Sequence, residues 1–201
     1  MKNARYLIAL LVLGSITGCK PTQKEEPQEV VDEDTVQVTI GPDSTLWGRL
    51  GEDTGMSTLQ FITNRGDTME IYRTNQYTGK DGKLLGEICN LKDRYAITLA
   101  ADGESLLTAI NVSQLIRDWQ TKKGCMKIEN DGTVTSQELP YRTWKIWNGH
   151  ILFSSTQQLE YGSVNRVDTM DIVSLDRDSL IIRDHLDQLI KFGKPHNPKI
   201  S

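Results

Sequence analysis

Only three histidines occur in this chain of 201 residues, and none stands where the local sequence would arm it. His150 follows an Asn-Gly turn, His185 lies in a polar link and His196 is in the C-terminal tail. There is no H-E-x-x-H, no G-x-S-x-G, no glycine-rich phosphate loop and no C-x-x-C. Zinc hydrolysis, serine hydrolysis, nucleotide binding and thioredoxin-like exchange therefore lack their usual motifs, and neither a metal nor a cofactor is expected. Long apolar runs are missing too: none approaches the roughly 20 residues that a membrane-spanning helix needs. Nor is there a basic cluster. The 23 Lys and Arg are scattered among 27 Asp and Glu, for a formal charge of −4, so nucleic acid is not an expected partner.

The chemistry that leaves no local motif is a pair of carboxylates on distant strands, as in glycoside hydrolysis. Glu70, Glu87, Asp168 and Asp171 are the acids available to it. In DTMEIY and DTMDIV they alternate with apolar residues, which is the pattern of solvent-facing strand positions. Asp176-x-Asp178 has the spacing of calcium ligands but not the glycine or the terminal glutamate of an EF-hand, and reads as a turn.

What is present begins at the N-terminus. Lys2 and Arg5 precede the apolar run Tyr6 to Leu13 and then the small residues of GSITGC, the order of a secretory signal peptide over residues 1–18. Ile16-Thr17-Gly18-Cys19 resembles the bacterial lipobox, which implies cleavage before Cys19 and a lipid on its side chain. Taking 18 residues from 201 leaves 183, and losing Lys2 and Arg5 moves the formal charge from −4 to −6. Residues 19–34, CKPTQKEEPQEVVDED, lack apolar periodicity and read as a disordered tether. Within it Lys24-Glu25-Glu26 resembles the export signal that sends lipoproteins to the outer face of the outer membrane in some lineages. Outside the cytosol the two remaining cysteines, Cys89 and Cys125, form a candidate disulfide.

From Thr35 the chain reads as short strands between turn residues, an all-β pattern. The expected strands are Val36 to Ile40, Ser44 to Leu50, Ser57 to Thr63, Thr68 to Arg73, Leu84 to Leu91, Tyr95 to Ala100 and Ser105 to Ile110. Gly48, Gly51 and Gly86 sit where bulges or bends would curve the sheet. Residues 35–111 are therefore expected to form a small curved barrel, OB-like in kind. Asn111 or Ser113 caps a short helical stretch with Val112, Leu115, Ile116 and Trp119 at helical spacing, and a second β-domain is expected over 112–194, with 195–201 as tail.

The strongest local signal lies in that second domain. In YRTWKIWNGHILF, Tyr141 to Phe153, Asn148-Gly149 is the pair that best tolerates a type I′ hairpin turn. It sets Trp147 opposite His150, Ile146 opposite Ile151, Lys145 opposite Leu152 and Trp144 opposite Phe153. One face, Trp144, Ile146, Ile151 and Phe153, is wholly apolar and requires further strands to bury it. Trp147 falls on the other face beside His150, exposed unless something covers it, so both are candidate contacts for a partner or ligand. A polar loop is expected over Ser154 to Arg166, then a hairpin of Asp168 to Ser174 and Leu180 to Arg183 across Asp176-Arg177-Asp178-Ser179, and a closing strand Leu189 to Phe192.

The series SQLIRDWQ, GCMKIENDGTVTSQ, YRTWKIWNGHILF, DTMDIVSLDRDSLIIRD, LIKFGK, from Ser113 to Lys194, resembles the lipocalin-like domains of bacterial secreted lipoproteins. Trp119 opening a strand, Tyr141 with Trp144, and the acidic turn between Leu175 and Leu180 carry the likeness. It implies an antiparallel meander or barrel offering a cup for a small apolar ligand or a wall for an envelope protein. The expectation is a non-enzymatic binding module anchored at the outer membrane, with an envelope or dietary glycan hydrolase as the alternative. Asp34-Thr35, Asp43-Ser44, Asp67-Thr68, Asp168-Thr169 and Asp178-Ser179, each before an apolar residue or Thr, match both a bacterial O-glycosylation acceptor and a turn entering a strand.

The lipobox reading has a direct test. Cells grown with radioactive fatty acid should label the wild-type protein, and Cys19→Ala should abolish the label and release the mature domain from membranes.

Overall fold

The computed structural model describes residues 42–195 apart from Cys89, Lys123 and Glu138. The expected signal peptide, Cys19, the expected tether and strand Val36 to Ile40, and most of the tail lie outside the described residues. So does Cys89, while Cys125 is free and exposed.

The first sheet contains β1 (Leu46–Leu50), β2 (Thr58–Thr63), β3 (Thr68–Tyr72), β4 (Lys83–Leu85), β5 (Arg94–Leu99) and β6 (Leu106–Asn111), in the order β3-β2-β1-β5-β6-β4. All pairings are antiparallel except β4 with β6. The sheet curls far enough for a parallel bridge from Tyr72 to Ser105. Gly48 permits this curvature, because a Cβ there would lie 2.1 Å from the Ile62 carbonyl oxygen. In the central strand β5 both faces are buried. Leu50, Leu59, Phe61, Ile71, Tyr95, Ile97, Leu106 and Ala109 fill the inside of the curl. On the other face the register aligns Trp47, Ala96, Ile110 and Leu85 in one row across β1, β5, β6 and β4. That row packs into the core of the second sheet. Burial on both faces explains why β5 reads as a continuous apolar run rather than an alternation.

The strand expected over Leu84 to Leu91 ends at Leu85. Gly86 follows with φ +93, and a Cβ on it would lie 2.6 Å from that of Asn111. Asn111 ends β6 and is fully buried. Its side-chain oxygen accepts from the Gln114 backbone N–H at 3.1 Å, capping α1 (Val112–Leu115), while its amide donates to the Glu87 carbonyl, to Asp93 Oδ2 at 2.7 Å and to the Tyr95 hydroxyl. The helix is a single turn, shorter than the spacing out to Trp119 implied. It ends because Ile116 turns to an extended ψ, and Trp119 instead opens a strand.

The second sheet holds β7 (Asp118–Gln120), β8 (Cys125–Ile128), β9 (Val134–Ser136), β10 (Thr143–Trp147), β11 (His150–Leu159), β12 (Gly162–Leu175), β13 (Ser179–Arg183) and β14 (Leu189–Gly193). Its order is β10-β11-β12-β13-β14-β7-β8-β9, and a bridge from Thr133 to Thr143 brings the ends together as a nearly closed barrel. The joint between β14 and β7 is thin, with Gly193 opposite Gln120 as its pairing. The Tyr141 hairpin forms in the expected register, with all four pairs in place and positive φ at Asn148 and Gly149. Trp144, Ile146, Ile151 and Phe153 are buried, the last two completely.

The expected polar loop over Ser154 to Arg166 is instead a ribbon. β11 and β12 pair without interruption from Ile151 with Met170 to Leu159 with Gly162. Neither face of its outer part is covered, so no apolar alternation was selected there; yet two strands satisfy each other's backbone groups without needing a core. The Asp176 turn forms as expected, its carboxylate accepting from the Asp178 and Ser179 backbone N–H groups.

Asn111→Ala removes the helix cap and leaves Asp93 and the Glu87 carbonyl short of a buried donor. A loss of about 2–4 kcal/mol in urea unfolding is expected from those two effects together. A loss under about 1 kcal/mol would show that water replaces the amide.

Candidate functional site

Eight strands make a barrel whose interior is just wide enough for side chains to fill, or for one small ligand. Here side chains fill it. Trp119 and Met126 from β7 and β8, Trp144 and Ile146 from β10, Ile151 and Phe153 from β11, Ile172 from β12 and Leu180 and Ile182 from β13 all lie in one cluster and are at most 7% exposed. The indole N–H groups of Trp119 and Trp144 find carbonyl acceptors, on Leu115 at 2.9 Å and Glu129 at 2.8 Å. Tyr141 stacks on Phe153 at 4.9 Å between ring centroids.

Asp168 follows the inward parity of Met170 and Ile172, contrary to the outward position expected of it. Its side chain is 13% exposed, accepting from the Tyr141 hydroxyl at 3.0 Å and from Arg166 Nε at 2.8 Å. Burial first, and the adjacent carboxylate second, push the Tyr141 phenol well above its ordinary pKa. The acid is therefore a tie between the barrel wall and the segment entering β10.

The outer wall carries a different arrangement. Ile146, Ile151, Ile172 and Ile182 point inward, so their neighbours Trp147, His150, Asp171 and Arg183 point outward. The register sets Trp147 opposite His150 and Asp171 opposite Arg183, giving a transverse row across β10, β11, β12 and β13. His150 Nδ1 is 2.6 Å from Asp171 Oδ1, and Arg183 Nη2 is 3.0 Å from Oδ2. Burial alone would raise the Asp171 pKa, but the hydrogen bonds from Arg183 and His150 outweigh it and hold the carboxyl below its ordinary value. An ionised Asp171 only accepts, so His150 carries its proton on Nδ1 and leaves Nε2 to face away from the pair. The Trp147 and His150 rings lie 6.2 Å apart at 30°. Lys83 reaches the same wall and donates to the Ile172 carbonyl; desolvation there lowers its pKa, and Asp171 opposes the shift.

Trp147 is half-buried rather than bare. The turn beside it docks on the segment before β1. Asn148 Oδ1 accepts from the Ser44 N–H at 2.8 Å and its hydroxyl at 2.7 Å, the Asn148 N–H donates to Thr45 Oγ1, and its amide donates to the Pro42 carbonyl. The two candidate contact residues are thus brought together as expected. What was not foreseen is that Asp171 and Arg183 complete their row. The signal was available in principle, because the Asp176 turn sets the β12–β13 register, but the bulge between Ile172 and Ser174 hides it.

The acids considered for hydrolysis do not converge. Asp168 and Asp171 are three residues apart on one strand and face opposite sides. Glu87 pairs with Arg177 at 3.0 Å. Glu70 is exposed on β3, in a shallow groove of about 200 Å³ with Asp53, whose carboxylate accepts from Gln60 at 2.9 Å.

A family model described as lipocalin-like matches residues 113–195, the segment that forms the barrel. A solved structure of a lipocalin-like protein from Bacteroides thetaiotaomicron is similar at 22% identity, over 41% of this chain and 97% of that one, with a TM-score of 0.34. No curated protein matches.

Asp171 has a depressed folded pKa, so its contribution to stability is present above the ordinary carboxylate range near pH 4 and is lost as the pH falls through the folded value. Exposure of the row screens it. Asp171→Asn should lower the melting temperature by about 1–3 °C at pH 7, and the difference from wild type should vanish by about pH 2–3. Melting curves that differ equally at both pH values would show that charge is not what the row contributes.

Proposed function

We propose that this protein is a non-enzymatic binding module, lipid-anchored at the bacterial outer membrane, that meets an envelope protein with the outer wall of its barrel. The observation that carries this reading is the filled interior. A barrel packed by Trp119, Trp144 and Phe153 leaves an apolar ligand no space without expelling core side chains. Recognition then falls to the surface, and the row of Trp147, His150, Asp171 and Arg183 combines an aromatic anchor with an arginine, the residue types that dominate binding energy at protein interfaces. Pre-pairing of Asp171 with Arg183 and His150 fixes the side chains before contact, which reduces the entropy lost on binding. The lipobox at Cys19 and the tether would hold this wall within reach of envelope partners.

Affinity capture from native membranes tests the reading. Wild-type mature protein should retain a partner that Trp147→Ala and Arg183→Ala each lose, while the melting temperature of both variants stays within a few degrees of wild type. Identical partner lists would remove the row from the interface. Saturable, stoichiometric binding of a fluorescent fatty-acid probe would instead restore the barrel interior as the site.

A further inference from the structure

Two arginines face each other across β1 and β5. The register pairs Arg49 directly with Arg94, and like charges in that relation repel. The strand pair does not relieve the repulsion itself. Among the described residues, no carboxylate lies within ion-pair distance of Arg49, of Arg94 or of Lys92 beside it. These three cations line one groove of about 440 Å³. Its carboxylate, Asp93, is already held by amide hydrogens, from Asn111 at 2.7 Å and Asn90 at 3.0 Å. In a chain of net charge −4, a groove with three cations against one engaged acid is a local reversal of sign.

Two further features give the groove shape. The Arg94 guanidinium lies over Trp47, 5.7 Å from the ring centroid, which restricts it to one side of the groove while its N–H donors remain available. Asn64 and Arg94 also line an adjoining groove of about 380 Å³, which adds Asn130, Lys145 and one acid, Asp131, whose carboxylate already accepts from the Thr133 N–H and hydroxyl. Each groove falls in the size range of small-ligand sites, and together they set neutral amides next to forked cations. Guanidinium groups match carboxylate and phosphate oxygens in paired hydrogen bonds, and amides suit hydroxyls.

We infer that the groove bounded by Arg49, Lys92, Arg94 and Asn64 binds an anionic saccharide, through a carboxylate or phosphate held between the two arginines and hydroxyls held by the amides. The bound oxyanion turns the repulsion between Arg49 and Arg94 into a shared attraction. This site lies on the first sheet and does not depend on the row around Trp147.

Calorimetric titration of the full mature protein with trigalacturonate, fructose 1,6-bisphosphate and uncharged maltotriose tests it. One anionic probe should bind, its Kd weakening at least tenfold between 50 and 500 mM salt, with maltotriose failing; which one binds separates carboxylate from phosphate. Arg49→Gln/Arg94→Gln should weaken binding at least tenfold, and Lys191→Gln on β14 should leave it unchanged. Arg49→Gln alone, at an exposed position, should also weaken binding while the melting temperature holds or rises, so a loss of fold cannot imitate the result. Binding of no anionic probe, equal binding of maltotriose, or unaltered affinity in both Arg49 variants overturns the site.

Discussion

One buried amide governs how the two sheets are joined. Asn111 is the last residue of β6 and the cap of α1, so the chain leaves the first sheet and enters the second through a side chain that has no access to water. A buried amide without partners costs several kcal/mol, and Asn111 meets that requirement by collecting the Glu87 carbonyl, Asp93, Tyr95 and the Gln114 N–H into one place. Those partners come from β5, from the loop between β4 and β5, and from the helix. Gln114 extends the network, its oxygen accepting from the Glu87 N–H at 2.9 Å. Gly86 follows from the same constraint, because only a residue without a Cβ passes so near Asn111.

The joint has a consequence for what the barrel can do. With the first sheet presenting Trp47, Ala96, Ile110 and Leu85 to it, the barrel core is continuous with the outer face of its neighbour. Large side chains inside then serve stability and leave nothing over for a cup. Polar and charged groups are instead organised on the surface: the ion-paired row on the barrel wall, and the cations on the first sheet that have no carboxylate partner among the described residues. The contrast is physical. Asp171 pairs with the cations around it, whereas Arg49 and Arg94 are set opposite each other by strand register with no carboxylate among the described residues within ion-pair distance.

Much of this was legible from residues. Asn148-Gly149 set the register of β10 and β11 because few other pairs accept two positive φ angles. Glycine-bearing turns at Asn64 to Asp67, Asn130 to Gly132 and Asp102-Gly103 fell where strands end. The candidate contacts Trp147 and His150 came from the same turn. What could not be read was anything that depends on a strand's second neighbour. Asp168 shares its parity with the buried Met170 and Ile172, but an acid on an apolar face reads as outward until the Tyr141 hydroxyl that it accepts from is placed beside it. The ribbon from Thr156 to Arg166 gave no periodicity, since periodicity reports which face is buried and this ribbon buries neither.

The sequence by itself determined the all-β character, the turn chemistry, the hairpin register and the apolar face that demanded more strands. These are local consequences of backbone sterics and of alternation with a period of two. Tertiary structure alone decided that the barrel is filled, that His150 meets Asp171, and that Arg49 lies against Arg94. Each depends on contacts between segments distant along the chain, His150 with Asp171 at the far end of a long ribbon, Arg49 with Arg94 across two strands, and Gly193 with Gln120 at the barrel joint, so alternation within any one strand does not reveal them.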